Sequence, residues 1–417
     1  MENLKHLIFY FKGYQHVADF QRLCGVEIAT VEELTSNDNN GISNNVEKST
    51  ESNRPDHDAI KRNVNGVHKN GYKNGLHNSE GHEKKLAYKI KNKAFYFLMQ
   101  FGAGLGGEIF YITFFPFLLW NIDSRLCRHI LLIWYPLMYF GQFLKDMIKW
   151  PRPGPPAVRL EGNRFEMEYG MPSTHTIVGT CIPFSLLVLV SRHYEMSWGL
   201  GLFGALVWAG LVACSRVYLG MHTALDCIAG VGMTLVLLPP MLSVVEQVDF
   251  FQLTSPYAPI FLLLLPILAC VYYPKPAVWS ITRGDTSNIV SIGSLVCTVG
   301  WFHYQLGWME ETPHPPGLQP FPPITTDWLY YSAIRTVCGV IALAVSRVVS
   351  KKIWLKLVCN FAGVETKDTA KQREIGLEVP MRWFVIGGLA VNTAFTAPLV
   401  FHYFGINREY YYKEIGL

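Results

Sequence analysis

Three short stretches of this chain carry residues suited to one chemistry. Lys145, Arg152 and Pro153 come first, then the run Pro172-Ser173-Thr174-His175, then Ser215, Arg216, His222 and Asp226. Together they supply two imidazoles, three fixed cations, a hydroxyl and a carboxylate, all at the ends of strongly apolar segments. That set fits hydrolysis of a phosphate ester at a membrane surface. Phosphoryl transfer needs mainly positioning and charge stabilisation, and cations with helix-terminal amides provide both. Asp226 follows His222 by four residues, about one helical turn, so the two side chains are expected to share a face. A carboxylate there can accept the Nδ1 proton and leave Nε2 as nucleophile or base.

The elements that must position these groups are helices. Lys145 ends an apolar helix, and Pro151 and Pro153 stop that helix from continuing. Arg152 is therefore expected in a constrained turn, where its planar fork matches phosphate oxygens better than an ammonium does. Lone interfacial cations are common beside membrane helices, so neither residue alone decides the matter. Ser173 opens the next apolar run. A serine there is usually a cap, and the free amides of that terminus also favour an anion. His175 can then serve as general acid on the far side of the phosphate.

Stepping outward, the 417 residues are 50% apolar and only 16% charged, and the polar residues concentrate before position 94. Candidate spans fall at 94–120, 129–148, 174–191, 197–215, 222–245, 257–273, 288–306, 328–348 and 383–404. Most reach about the 20 residues that cross a bilayer. The expected fold is an all-α integral membrane protein, a polytopic helical bundle of about nine spans. Ile353–Val364 is short and amphipathic and is expected on the surface.

Ahead of the spans, Met1–Ile28 holds an amphipathic segment, and Ser36–His82 is too poor in large apolar residues to fold. Lys84, Lys85, Lys89, Lys91 and Lys93 form a juxtamembrane anchor. No cleaved signal peptide is expected. Nine scattered cysteines show no metal-ligand spacing and are expected as small apolar side chains. The connection 307–327 carries six prolines and is expected to be an irregular, stiff loop. Glu108 and Arg335 lie inside spans, where structural pairing is the expected role.

The three motifs resemble those of the type 2 phosphatidic acid phosphatase superfamily, over about Lys145–Asp226. More narrowly, KDMIKWPRPGPPAVRL (145–160), EYGMPSTH (168–175) and SRVYLGMHTALD (215–226) resemble the sphingosine-1-phosphate phosphatases, as do Gly104–Trp120 and Asn121-Ile122-Asp123. Thr174 stands where the wider superfamily commonly has glycine, and this favours the sphingoid-base branch. The N-terminal 90 residues lie outside the resemblance.

The resemblance implies a six-helix core and a metal-independent phosphomonoesterase without cofactors. It assigns His222 as nucleophile forming a phosphohistidine, Asp226 as its orienting group, and His175 as acid and then base. Lys145, Arg152, Ser173 and Arg216 would bind the phosphoryl oxygens, and Thr174 would add a backbone amide. The domains expected are a polar region at 1–93, a catalytic membrane core at 94–245, and C-terminal helices at 246–417. Sphingosine 1-phosphate and its dihydro form are the expected substrates, with the bilayer as partner, no nucleic acid, and a homo-oligomer left open. Two alternatives stand: a broad phosphatase acting on phosphatidic or lysophosphatidic acid, or a non-catalytic lipid-binding scaffold. The ammonium of a sphingoid substrate would find Glu161, Glu166 and Glu168 in the loop between the first two motifs. Basic residues at 84–93 and Lys351, Lys352 and Lys356 put the motif side in the cytoplasm by charge. The resemblance instead implies an endoplasmic reticulum membrane protein with a lumenal site, and a lumenal site is the expectation.

Overall fold

The computed structural model describes residues 10–11, 13–28, 88–161, 168–274, 281–309, 318, 320, 323–366, 368 and 371–408. Contacts divide the chain into two units, Met1–Cys24 with Asn92–Leu417, and Gly25–Lys91. In the second unit the described part is an antiparallel pair, β1 (Val26–Ile28) and β2 (Tyr88–Ile90), with Val26 opposite Ile90. Lys91 and Glu27 add an ion pair at 2.5 Å. The segment expected to be unfolded (36–82), Lys84, Lys85 and most of the proline-rich connection lie outside the described residues.

The first unit is helical: α1 Gln15–Leu23, α2 Lys93–Gly104, α3 Glu108–Ile122, α4 Ser124–Ile148, α5 Thr174–Ser191, α6 Trp198–Tyr218, α7 Ala224–Thr254, α8 Ile260–Val271, α9 Thr282–Gln305, α10 Thr326–Ala362 and α11 Gly376–Tyr403. Side-chain caps start most of the long ones. Asp123 accepts from Leu126 N, Ser197 from Leu200 N, and Thr325 from Trp328 N, each satisfying an amide that would otherwise lack a partner. The shared core is aromatic and aliphatic, with Trp120, Trp134, Leu137, Ile177 and Ile182 almost fully enclosed.

Among the described residues, five helices are long and apolar enough to cross a membrane, or six if α2 and α3 count as one span bent by 58°. The protein is a multi-pass membrane protein. The nine expected spans are not all found on that criterion, for identifiable reasons. At α4, length suffices but the helix buries Arg125, Arg128, His129, Gln142, Lys145 and Asp146. Likewise α9 buries Arg283, Ser287, Ser291 and Ser294. These two helices pack against each other, which places much of their polar surface inside the bundle. Arg128, for example, meets Asp249 through two bonds of 3.1 and 3.0 Å. At α8, a run of apolar residues makes only a short helix.

The segment Ile353–Val364, expected on the surface, is mostly exposed, and it continues α10 to Ala362, where Gly363 ends the helix in a left-handed conformation. Arg335 is held within its own helix, donating to Tyr331 O at 3.3 Å and Ser332 Oγ at 3.4 Å. The α2–α3 bend follows from packing. A Cβ on Gly106 would lie 2.9 Å from the His175 carbonyl and 2.8 Å from Val212, so only glycine lets the chain approach the base of α5 there.

Candidate active site

Four helix ends meet at the three motifs. Lys145 sits in the last turn of α4, fully buried, and Lys149 closes that helix in a left-handed conformation. The loop after it carries Arg152. Ser173 caps α5, Arg216 lies in the last turn of α6, and His222 and Thr223 lead into α7. The structure therefore brings Lys145, Arg152, Ser173, Thr174, Arg216, His222 and Asp226 to one buried place. His175 is next to them, partly exposed in the first turn of α5.

Arg152 links the motifs directly. Its Nε donates to Glu168 O and its Nη2 to Glu168 Oε2, both at 3.0 Å. Its Nη1 donates to Met221 O at 3.0 Å and lies 3.4 Å from His222 Nε2. Burial lowers the Arg152 pKa to about 10, opposed by Glu168 and assisted by Arg216; the guanidinium stays charged near neutrality. Lys145 Nζ donates to Glu168 Oε2 and Thr174 Oγ1, each at 3.3 Å. Arg216 Nη2 donates to Glu161 Oε2 at 2.9 Å. Its Nε and Nη1 are buried with no hydrogen-bond partner among the described residues. Buried donors without partners are rare, and these two are free to donate to an oxygen acceptor.

Ser173 is fully buried and accepts from Thr176 N at 3.4 Å and Thr176 Oγ1 at 3.0 Å. Its amide donates to Asp226 O at 3.1 Å, tying the second motif to the third.

The His222–Asp226 relation differs from the shared helical face expected from their spacing. Helix α7 begins at Ala224, so His222 lies before the cap rather than on the helix. Asp226 closes a capping box. Its Oδ2 accepts from Thr223 N at 2.8 Å, and its amide donates to Thr223 Oγ1 at 3.2 Å. His222 Nδ1 stands 3.6 Å from the same Oδ2, too far for a made hydrogen bond but close in charge. Catalytic hydrogen bonds of this kind often tighten only with substrate bound. Burial, then Arg152, Arg216, Lys145 and His175, hold the His222 pKa well below its usual 6.5. Burial and the surrounding cations thus favour the neutral imidazole.

Of the three loop carboxylates, Glu161 and Glu168 meet the cations and Glu166 lies outside the described residues. Each of the first two neutralises the cations it meets.

Residues 127–248 match the PAP2 superfamily. Sphingosine-1-phosphate phosphatase 2 of Mus musculus is 37% identical over 319 residues, 76% of this chain and 90% of that protein. Sphingosine-1-phosphate phosphatase 1 of Rattus norvegicus is 33% identical over 417 residues, 94% of this chain and 96% of its own. This chain belongs to the sphingosine-1-phosphate phosphatase family of the PAP2 superfamily. A dihydrosphingosine 1-phosphate phosphatase of Schizosaccharomyces pombe is 29% identical over 236 residues, 53% of this chain and 56% of its own. No solved structure matches the chain. Family membership makes it a phosphomonoesterase, and the matched region contains all three motifs. The match to the rat relative also extends over segments that the three motifs left out.

Proposed function

We propose that the protein hydrolyses sphingosine 1-phosphate and dihydrosphingosine 1-phosphate to the free base and inorganic phosphate, with the phosphoryl group passing through His222. The buried, unpartnered donors of Arg216 beside Lys145, Arg152 and the neutral His222 are the observation that carries this reading. His222 Nε2 attacks phosphorus, and the ester P–O bond breaks as His175 gives its proton to the leaving alkoxide. A water then attacks phosphorus and gives a proton to His175 as the P–N bond breaks, returning free His222 and inorganic phosphate. Lys145, Arg152, Ser173, the Thr174 amide and Arg216 hold the phosphoryl oxygens, and Asp226 keeps the imidazole oriented. Residues 94–245 serve in this reading as the catalytic membrane core and 246–417 complete the bundle, while Met1–Cys24, from the expected polar region 1–93, group with the helical unit. Purified full-length protein assayed on sphingosine 1-phosphate, its dihydro form, phosphatidic acid and lysophosphatidic acid tests the substrate. Equal turnover of all four would replace this reading by a broad lipid phosphatase, and no phosphate release from any would leave only a scaffold.

Glu161 and Glu168 give the preference its physical basis. Bound phosphate takes over the cations they now neutralise, and the released carboxylates lie beside an ammonium that phosphatidic acid lacks. Glu166, from the same loop, would belong with them. Glu168→Gln is expected to cut kcat/KM for sphingosine 1-phosphate about tenfold, since a hydrogen bond to a charged group is worth about 1.5 kcal/mol or more. Lysophosphatidic acid should lose less. Parallel losses on both substrates would remove Glu168 from ammonium recognition.

The membrane is proposed to be that of the endoplasmic reticulum, with the motifs facing the lumen. Glycosylation sequons introduced at 121–128 and 311–320 should then stay unmodified, while one at 365–370 is modified. The opposite pattern places the motifs in the cytoplasm.

A further inference from the structure

The N-terminal helix α1, far from the motifs in sequence, is built into their support. Gln21 is 2% exposed, an unusual depth for a glutamine. Its Nε2 donates to Val158 O at 2.6 Å and to Tyr218 O at 2.8 Å, and its Oε1 accepts from Val158 N at 2.9 Å. One side chain therefore satisfies both backbone groups of Val158, six residues after Arg152, and the carbonyl two residues after Arg216. The same two segments also meet through Leu160 N and Leu219 O at 3.0 Å. Gly220, at φ +67°, lets the α6 end approach the Val158 carbonyl so closely that a Cβ would collide with it.

His16 reaches the third segment. Its Nε2 accepts from Ala224 N at 3.0 Å, while its Nδ1 faces Tyr10 O at 3.1 Å. Accepting at Nε2 places the ring proton on Nδ1, where Tyr10 O takes it. Ala224 N is a first-turn amide of α7, two residues past His222, and has no partner within its own helix. Val17 and Ala18, between the two polar contacts, are buried as well. Burial keeps the His16 pKa below its usual 6.5, so the accepting form persists near neutrality.

We propose that His16 and Gln21 are positioning residues, through which α1 locks the Arg152 loop, the Arg216 end of α6 and the His222 turn into one register. Neither touches the reacting phosphate. Their effect is on where the guanidinium forks and the imidazole stand, and misplacement of catalytic groups by about 1 Å can cost about a hundredfold in rate. The inference rests on the proposed phosphate site but not on which lipid is hydrolysed.

The test uses purified full-length protein carrying Gln21→Leu, His16→Ala or His16→Gln. Three readouts are taken: turnover of sphingosine 1-phosphate, binding of orthovanadate measured without turnover, and thermal unfolding. Gln21→Leu is expected to lower kcat by about tenfold to a hundredfold and to weaken orthovanadate binding, in molecules that remain folded at the assay temperature. His16→Ala should lower kcat in the same sense. His16→Gln should recover most of it, because its amide oxygen can accept from Ala224 N. Unchanged kcat and orthovanadate binding in Gln21→Leu, whatever its unfolding temperature, would overturn the proposal. So would a His16→Gln variant no better than His16→Ala. If Gln21→Leu does not fold, the His16 pair decides alone. If the unmodified protein turned over no lipid phosphate, the substrate reading would fail first, and orthovanadate binding would still judge the clamp.

Discussion

His222→Ala abolishes phosphate release from sphingosine 1-phosphate, with kcat expected to fall about a millionfold, the scale seen when a covalent nucleophile is removed. The size follows from where the residue stands. His222 is 1% exposed, neutral at pH 7, and has Nε2 directed at the Arg152 guanidinium. Neither neighbouring imidazole takes its place: His175 sits in the first turn of α5, and His16 is committed to Ala224 N. The proposed phosphate pocket should survive, because Arg152 loses only its 3.4 Å contact with the His222 ring, and Lys145, Arg152 and Arg216 keep their backbone, hydroxyl and carboxylate contacts. Orthovanadate should therefore still bind the variant as a plain anion. Acid-quench trapping of phosphorylated protein from labelled substrate checks the assignment. A labelled intermediate in the alanine variant would move the nucleophile elsewhere.

Asp226→Asn lowers kcat by about a thousandfold to ten-thousandfold, the effect of losing the carboxylate that fixes a catalytic histidine's tautomer. Geometry makes this substitution informative. The carboxylate has two tasks, facing His222 Nδ1 at 3.6 Å and accepting Thr223 N at 2.8 Å in the capping box of α7. An asparagine oxygen can still accept the Thr223 amide, so the start of α7 stays intact while the negative charge beside the imidazole is gone. Asp226→Ala removes both and should add about 1 kcal/mol of instability from the lost cap. Kinetics should thus rank Asn and Ala alike while unfolding separates them. If Asn kept near-normal kcat, Asp226 would be a cap and nothing more.

The chemistry of the site was legible because its residue types are few and their spacing is fixed by helix ends. Pro151 and Pro153 stop α4 just past Lys145, Ser173 caps α5, and Thr223 with Asp226 starts α7. Each is a local signal. Less legible were features that depend on what an element packs against. The run of apolar residues around α4 and α9 read as two ordinary spans, yet both helices bury charged or hydroxyl groups that only a protein neighbour can satisfy. Ile353–Val364 read as a separate surface segment because amphipathicity does not say whether the preceding helix ends, and α10 does not end until Ala362. The four-residue spacing of His222 and Asp226 suggested a shared helical face; the cap at Thr223 puts His222 outside the helix instead.

By itself, then, the sequence determined the candidate groups, their order and their attachment to membrane helices, since proline, capping residues and apolar length act within a few residues of where they stand. Only the tertiary structure decided which partners those groups meet. Glu168 lies between Lys145 and Arg152, Glu161 on Arg216, Gly106 against His175, and Gln21 across Val158 and Tyr218. Those contacts join residues up to 197 positions apart. No local rule spans such a distance; it is set by helix packing, and by the need of buried polar groups to find partners where water is absent.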